Sequence, residues 1–151
     1  MMRASDFKHT PSEASVFHEL AGPFLANLGF ALVNDPRPKV GRFNASTAAY
    51  QSPQGLSLCV GFEPGDSNTA EISCGREWSA EQQCLLMANH YSVLAKRFGI
   101  DVPLFYKLGY GEEKNVTIKV MLADLMRSLP AILPRVTVDD LLSVARDRPG
   151  A

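Results

Sequence analysis

Leu56-Ser57-Leu58-Cys59-Val60-Gly61-Phe62, followed by Ala70-Glu71-Ile72-Ser73-Cys74, is the part of the chain that decides the fold. Leu56, Leu58, Val60 and Phe62 alternate with Ser57, Cys59 and Gly61, the two-residue period of a strand with one dry and one wet face. Ala70, Ile72 and Cys74 repeat the pattern against Glu71 and Ser73. Turn residues flank both runs, Ser52-Pro53-Gln54-Gly55 before the first and Pro64-Gly65-Asp66-Ser67-Asn68 between them. With a short apolar run at 30–33 and a segment of small and polar residues at 42–50, this predicts an antiparallel meander of three to four strands. The alternation turns Cys74 inward and Cys59 outward, so those two thiols are not expected to pair.

Helices bracket the meander. Thr10-Pro11-Ser12-Glu13 reads as a capping box with proline at the first helical position. Val16, Phe17, Leu20, Ala21, Phe24, Leu25 and Leu28 then supply one apolar face, Pro23 is expected to kink the helix, and Gly29 to end it. Ser79 with Gln82 reads as a second capping box, opening a helix that carries Leu85, Met87, Ala88, Tyr91, Leu94, Ala95 and Phe98 to Gly99. Residues 104–120 fit two patterns. Leu104, Tyr106, Leu108 and Tyr110, then Val116, Ile118 and Val120, alternate as a hairpin would, while Ile118, Leu122, Leu125 and Leu129 fit a helix running to Pro130. We favour the helix, from about Val116, because its spacing outruns a strand. Thr137 then caps a last helix with Asp139 and Asp140 at its positive end and Val136 and Leu141 as a hydrophobic staple. The fold class is therefore α+β: an N-terminal helix, the meander, then two to three helices packed on one face. Residues 1–151 read as a single domain, with 1–9 and 148–151 frayed.

Composition narrows the function. Hydrophobic residues are 46% of the 151 and charged residues 21%, ordinary for a globular core. A net charge of −1, with Arg37, Lys39 and Arg42 diluted by two prolines, disfavours nucleic acid. No apolar run reaches a membrane span and residues 1–10 lack an apolar signal core, so a cytoplasmic location is expected. Three cysteines, no CxxC, and histidines at no ligand spacing give no expectation of a metal or cofactor.

No catalytic set assembles in the sequence. Gly109-Tyr110-Gly111-Glu112-Glu113-Lys114 lacks the spacing of a phosphate loop and reads as a turn. Cys74 beside Arg76 is the one candidate nucleophile, with His18 or His90 as a base brought by the fold. Yet alternation buries Cys74. His90 reads as a surface residue of the second helix, and Glu63, Asp66, Glu71, Glu77 and Glu81 as turn or wet-face residues. What remains is a set of types that carry protein–protein contacts: Arg42, Tyr50, Arg76, Trp78, Tyr106 and Tyr110. They predict a partner-binding surface on a non-catalytic domain, with a small-ligand site as the alternative. A bare edge along 42–50 leaves a homodimer open.

The order of elements resembles small immunity proteins of bacterial toxin systems. The stretches Leu58-Cys59-Val60-Gly61-Phe62-Glu63-Pro64 and Glu71-Ile72-Ser73-Cys74-Gly75-Arg76-Glu77-Trp78 look like their strand–turn–strand heart, and Ser128-Leu129-Pro130-Ala131-Ile132-Leu133-Pro134 adds to the likeness. The resemblance implies binding of a cognate toxin, without catalysis. A second resemblance is to type III secretion chaperones, which bind effectors; the hairpin reading of 104–120 would supply their last two strands. This chain is less acidic than those chaperones, and Pro130 and Pro134 interrupt its ending.

Overall fold

The computed structural model describes residues 12–37, 45–65 and 67–147. Its elements are α1 (Glu13–Asn27), β1 (Ala31–Leu32), β2 (Ser46–Gln51), β3 (Ser57–Glu63), β4 (Thr69–Gly75), β5 (Glu77–Ser79), β6 (Cys84–Leu86), β7 (Asn89–His90), α2 (Tyr91–Arg97), β8 (Tyr106–Lys107), α3 (Glu113–Ile132) and α4 (Val138–Arg146). This is the α+β architecture the alternation predicts. The main sheet runs β1-β2-β3-β4 with every pairing antiparallel, and both β7 and β8 lie along the far edge of β4.

One face of the sheet is the core. Ala48, Tyr50, Leu58, Val60, Phe62, Ala70, Ile72 and Cys74 point into it and are buried. Ala14, Phe17, Ala21 and Leu25 of α1, and Ile118, Met121, Leu125 and Leu129 of α3, cover them. Both helices repeat apolar residues at the spacing of one helical face, which is why each buries a single stripe. Helix α1 starts at Glu13, later than the Thr10 capping box predicts. Its cap is Ser12, whose Oγ accepts from the Ser15 amide at 3.1 Å; Thr10 lies outside the described residues. Pro23 does not interrupt the helix: it and Glu19, whose carbonyl loses its donor, both face solvent.

The edge of β2 is covered from within the chain. Beyond the two residues of β1, the Val33 amide donates to the Ala49 carbonyl at 2.9 Å. Asn34 then acts as a surrogate strand. Its Oδ1 accepts from the Ala49 amide at 2.7 Å, and its Nδ2 donates to the Thr47 carbonyl at 3.0 Å. The described part of this edge is therefore not the bare one that made a dimer attractive.

The largest departure is the second helix. It does not begin at Ser79: β5 and β6 form a hairpin, and α2 starts only at Tyr91. The Ser79–Gln82 pair does hydrogen-bond, Ser79 Oγ accepting from the Gln82 amide at 3.1 Å, but it closes the hairpin turn instead of capping a helix. Gln83 and Met87 both adopt positive φ, which no helix interior tolerates. The hairpin folds back over the outer face of the sheet. A Cβ on Gly75 would lie 2.7 Å from the Leu86 carbonyl oxygen and 3.3 Å from Leu85 Cβ, so the absent side chain is what lets the hairpin approach.

Residues 104–120 resolve into both patterns in part. Tyr106–Lys107 pairs with Thr69–Ala70, and α3 begins at Glu113 and continues through Pro130 to Ile132. The last helix is as expected, with the reciprocal Thr137–Asp140 capping box and Val136 packed against the core that Leu141 enters. Arg97 adds an ion pair to Asp140 at 2.8 Å, and it holds the Asp140 carboxyl below the usual carboxylate range.

Candidate functional site

Among the described residues, the outer face of the sheet is only partly covered. Ala49 and Ser57, both 0% exposed, and Gly75 lie under the β5–β6 hairpin. The register sets Thr47, Gly61 and Glu71 side by side in the next row. Here the hairpin has ended, and a recess of about 260 Å³ opens among Thr47, Gly61, Glu63, Thr69, Glu71 and Phe105. Its floor is Gly61. Its wall is Phe105, an aromatic ring 52% exposed. Glu63 and Glu71, on neighbouring strands, bring two carboxylates to the rim.

His90 touches two of these rim residues without lining the recess itself. Its ring lies edge-on to Phe105 with centroids 5.1 Å apart, and its Nδ1 is 3.5 Å from Glu71 Oε2. His90 ends β7 and Phe105 immediately precedes β8, and these strands meet β4 on either side of Glu71. The next residue in each case is a tyrosine turned the other way, into the core. Tyr91 Oη shares a hydrogen bond of 2.7 Å with Ser128 Oγ, and Tyr106 Oη donates to Asp124 Oδ2 at 2.6 Å. Asp124 and Ser128 are one turn apart on α3, and burial pushes both phenols above their usual range. Arg127 pairs with Asp124 and donates to the Asp101 carbonyl, which ties down the loop leading to Phe105.

The predicted contact set is scattered by the fold. Tyr50 is 1% exposed; its hydroxyl bonds His18 Nδ1 at 2.9 Å, so neither side chain is a free surface group. Tyr106 is 6% exposed and anchors the core side of the rim. Trp78 is half-buried, directly opposite Leu85 in the hairpin, and its Nε1 is buried with no acceptor among the described residues. Arg76 and Tyr110 are exposed, at opposite ends of the β4–α3 segment of sequence. Arg42 lies outside the described residues. The set therefore does not form one patch. Sequence reasoning placed Glu63 and Glu71 on the wet face but assigned them no role, took His90 for a helix-surface residue, and passed over Phe105. The signal that marked the site was Gly61, a glycine in the middle of a strand whose outward neighbours are otherwise small or polar.

The Cys74 thiol is not set up as a nucleophile. It is 1% exposed, burial pushes its pKa up to about 12, and its nearest polar contact is the His90 carbonyl at 4.0 Å. Arg76, two residues on, is solvent-exposed. Among the described residues no group of three or more histidine, cysteine, aspartate or glutamate side chains is placed to hold a metal, and no helix is long and apolar enough to cross a membrane. Comparison with known protein families, characterised proteins and solved structures finds no match for the chain.

Proposed function

We propose that the chain is a non-catalytic domain that binds another protein through the open end of its sheet face, in the manner of the immunity proteins it resembles. The carrying observation is the recess that the described residues leave open beside the exposed Phe105 ring. Large aromatics at the edge of a concave patch with a polar rim are typical of interface anchors. The recess sits on a sheet backed by two helices, so it is held by rigid elements. The same reading places the protein in the cytoplasm, acting on a toxin as its partner. The chaperone alternative, with an effector as partner, loses the hairpin it needs over 104–120, because most of that segment is α3 or the turn before it.

A pull-down with tagged protein from the native host tests this reading when run beside a Gly61→Leu variant, whose side chain fills the recess. One partner recovered at near-equal amount with the wild type and lost with the variant supports it. A partner retained equally by both, or none with either, refutes the assignment to this face. A small-ligand site is the second reading, favoured by the recess itself. At about 260 Å³ it falls just below the roughly 300–1,000 Å³ of pockets that enclose drug-sized ligands.

A further inference from the structure

We infer that the recess on the sheet face receives an arginine side chain of the partner protein, an assignment that rests on the protein-binding reading above. Three independent features converge on that chemistry. The first is the floor. Gly61 does not have a positive φ, and a Cβ built on it would meet only Thr47 Cγ2 at 3.7 Å and Glu71 Cγ at 3.9 Å, ordinary contact distances. Neither backbone conformation nor packing within the chain calls for glycine here, although glycine weakens a strand interior. Gly75 shows the contrast: its missing side chain is filled by the backbone of the hairpin. The two outward glycines of the described sheet face thus differ: Gly75 is covered by the hairpin, and Gly61 is left open by the described residues.

The second feature is the wall. Phe105 stands half exposed with its edge-on contact to His90 fixing its orientation, so a ring is offered to whatever enters. A guanidinium stacks on aromatic faces more readily than an ammonium does. The third is charge. Glu63 and Glu71 face the recess from adjacent strands. Glu71 has only the His90 ring within ion-pair distance, at 3.5 Å, and the Glu63 carboxylate accepts only a long hydrogen bond from Ser67 Oγ at 3.3 Å, among the described residues. Lys107 lies across from Thr69 in register but does not line the recess. Two carboxylates with unfilled acceptor capacity suit the planar, many-donor guanidinium, which can bond both. The volume admits one side chain, and the two carboxylates disfavour a phosphate-bearing ligand.

The test is a titration of isotope-labelled protein with Nα-acetyl-arginine amide, followed by amide NMR shifts. Parallel titrations use the blocked lysine and glutamine analogues and free arginine. The expected result is saturable shifts confined to the neighbourhood of Thr47, Gly61, Thr69 and Glu71, with blocked arginine ahead of blocked lysine and no response to blocked glutamine. Glu71→Gln, a conservative change at a partly exposed site, weakens blocked arginine by about tenfold, the effect of one lost charge-assisted contact. Equal response to blocked glutamine, no localised shifts, or unchanged affinity in Glu71→Gln overturns the inference. Binding of free arginine without binding of the blocked form also overturns it, in favour of a metabolite. Because the probe needs no partner, a blank pull-down with arginine binding refutes the partner alone, and the reverse pattern refutes the arginine alone.

Discussion

Replacing Gly75 by alanine tests the placement of the hairpin. The new Cβ would sit 2.7 Å from the Leu86 carbonyl oxygen, a backbone atom that no side-chain rotation can move. Restoring ordinary contact requires the β5–β6 hairpin to retreat by about 0.7 Å, which also forfeits close packing over the sheet. The Arg76 amide donates to that same carbonyl at 3.1 Å, so the retreat carries the bond out of range. Overpacking of this kind costs about 1–3 kcal/mol. The lost bond adds about 0.5–1.5 kcal/mol. Reduced freedom of the unfolded chain returns about 0.4–1 kcal/mol. The expected net is a loss of about 2 kcal/mol, or a fall in Tm of roughly 4–8 °C for a chain of this length. Gly61→Ala is the control, since its Cβ has 3.7 Å of clearance and should leave stability unchanged or slightly raised. Trp78 is the only tryptophan and lies in the hairpin, so its emission reports docking directly while denaturation reports stability. If Gly75→Ala and Gly61→Ala melt together and Trp78 emission is the same in both, the hairpin does not lie against Gly75.

Three further outcomes are expected. Asn34→Ala removes the bonds to the Ala49 amide and Thr47 carbonyl and bares the β2 edge, so it should lose about 1–3 kcal/mol and self-associate in sedimentation; a stable monomer contradicts the surrogate-strand role. Ser128→Ala strands the buried Tyr91 hydroxyl and should cost about 1–3 kcal/mol, while adding Tyr91→Phe recovers part of the loss. A double-mutant cycle with no coupling rules out that bond as a stabilising contact. Alkylation followed by peptide mapping at mildly alkaline pH should modify the exposed Cys84 and spare Cys74 until the protein unfolds, because Cys74 is buried and burial pushes its thiol up to about 12; rapid labelling of native Cys74 would restore the enzyme reading.

What was legible in the sequence, and what was not, follows from where each residue's partner lies. Leu58, Val60, Phe62, Ala70, Ile72 and Cys74 were assigned correctly because alternation is a property of neighbours along one strand. Thr137 was read correctly as the cap, with Asp139 and Asp140 in the first turn, because capping is complete within four residues; the structure adds the reciprocal bond from Asp140. Ser79 and Gln82 misled for the same reason: their local bond is real, but it is equally compatible with a hairpin turn, and the choice between them is made by the sheet face that Leu85 covers. Tyr50 and Tyr106 were read as contacts because residue type alone does not tell an anchored phenol from an exposed one. Their partners, His18 and Asp124, are 32 and 18 residues away. The rim of the recess was invisible on similar grounds, since His90 and Phe105 meet only after β7 and β8 have both paired with β4.

The same separation explains why the recess can be rigid although its rim is made of short pieces. A two-residue strand contributes little by itself, and two such strands bring His90 and Phe105 to Glu71. Their fixity comes from the residues that follow them, Tyr91 and Tyr106, whose buried hydroxyls are tied to successive turns of α3. Phe105, which lines the recess, and His90, which touches it, are thus each followed by a ring held in the core and tied to α3. Arg127, between the two anchor residues on α3, adds the loop through Asp101. Helix α3 also buries Met121 and Leu125 against the sheet that carries Gly61 and Glu71. Floor and wall are therefore positioned by one helix. An arrangement built this way sets the spacing between the Phe105 ring and the Glu71 carboxylate from within the chain, as the proposed preformed anchor point for a single side chain would require.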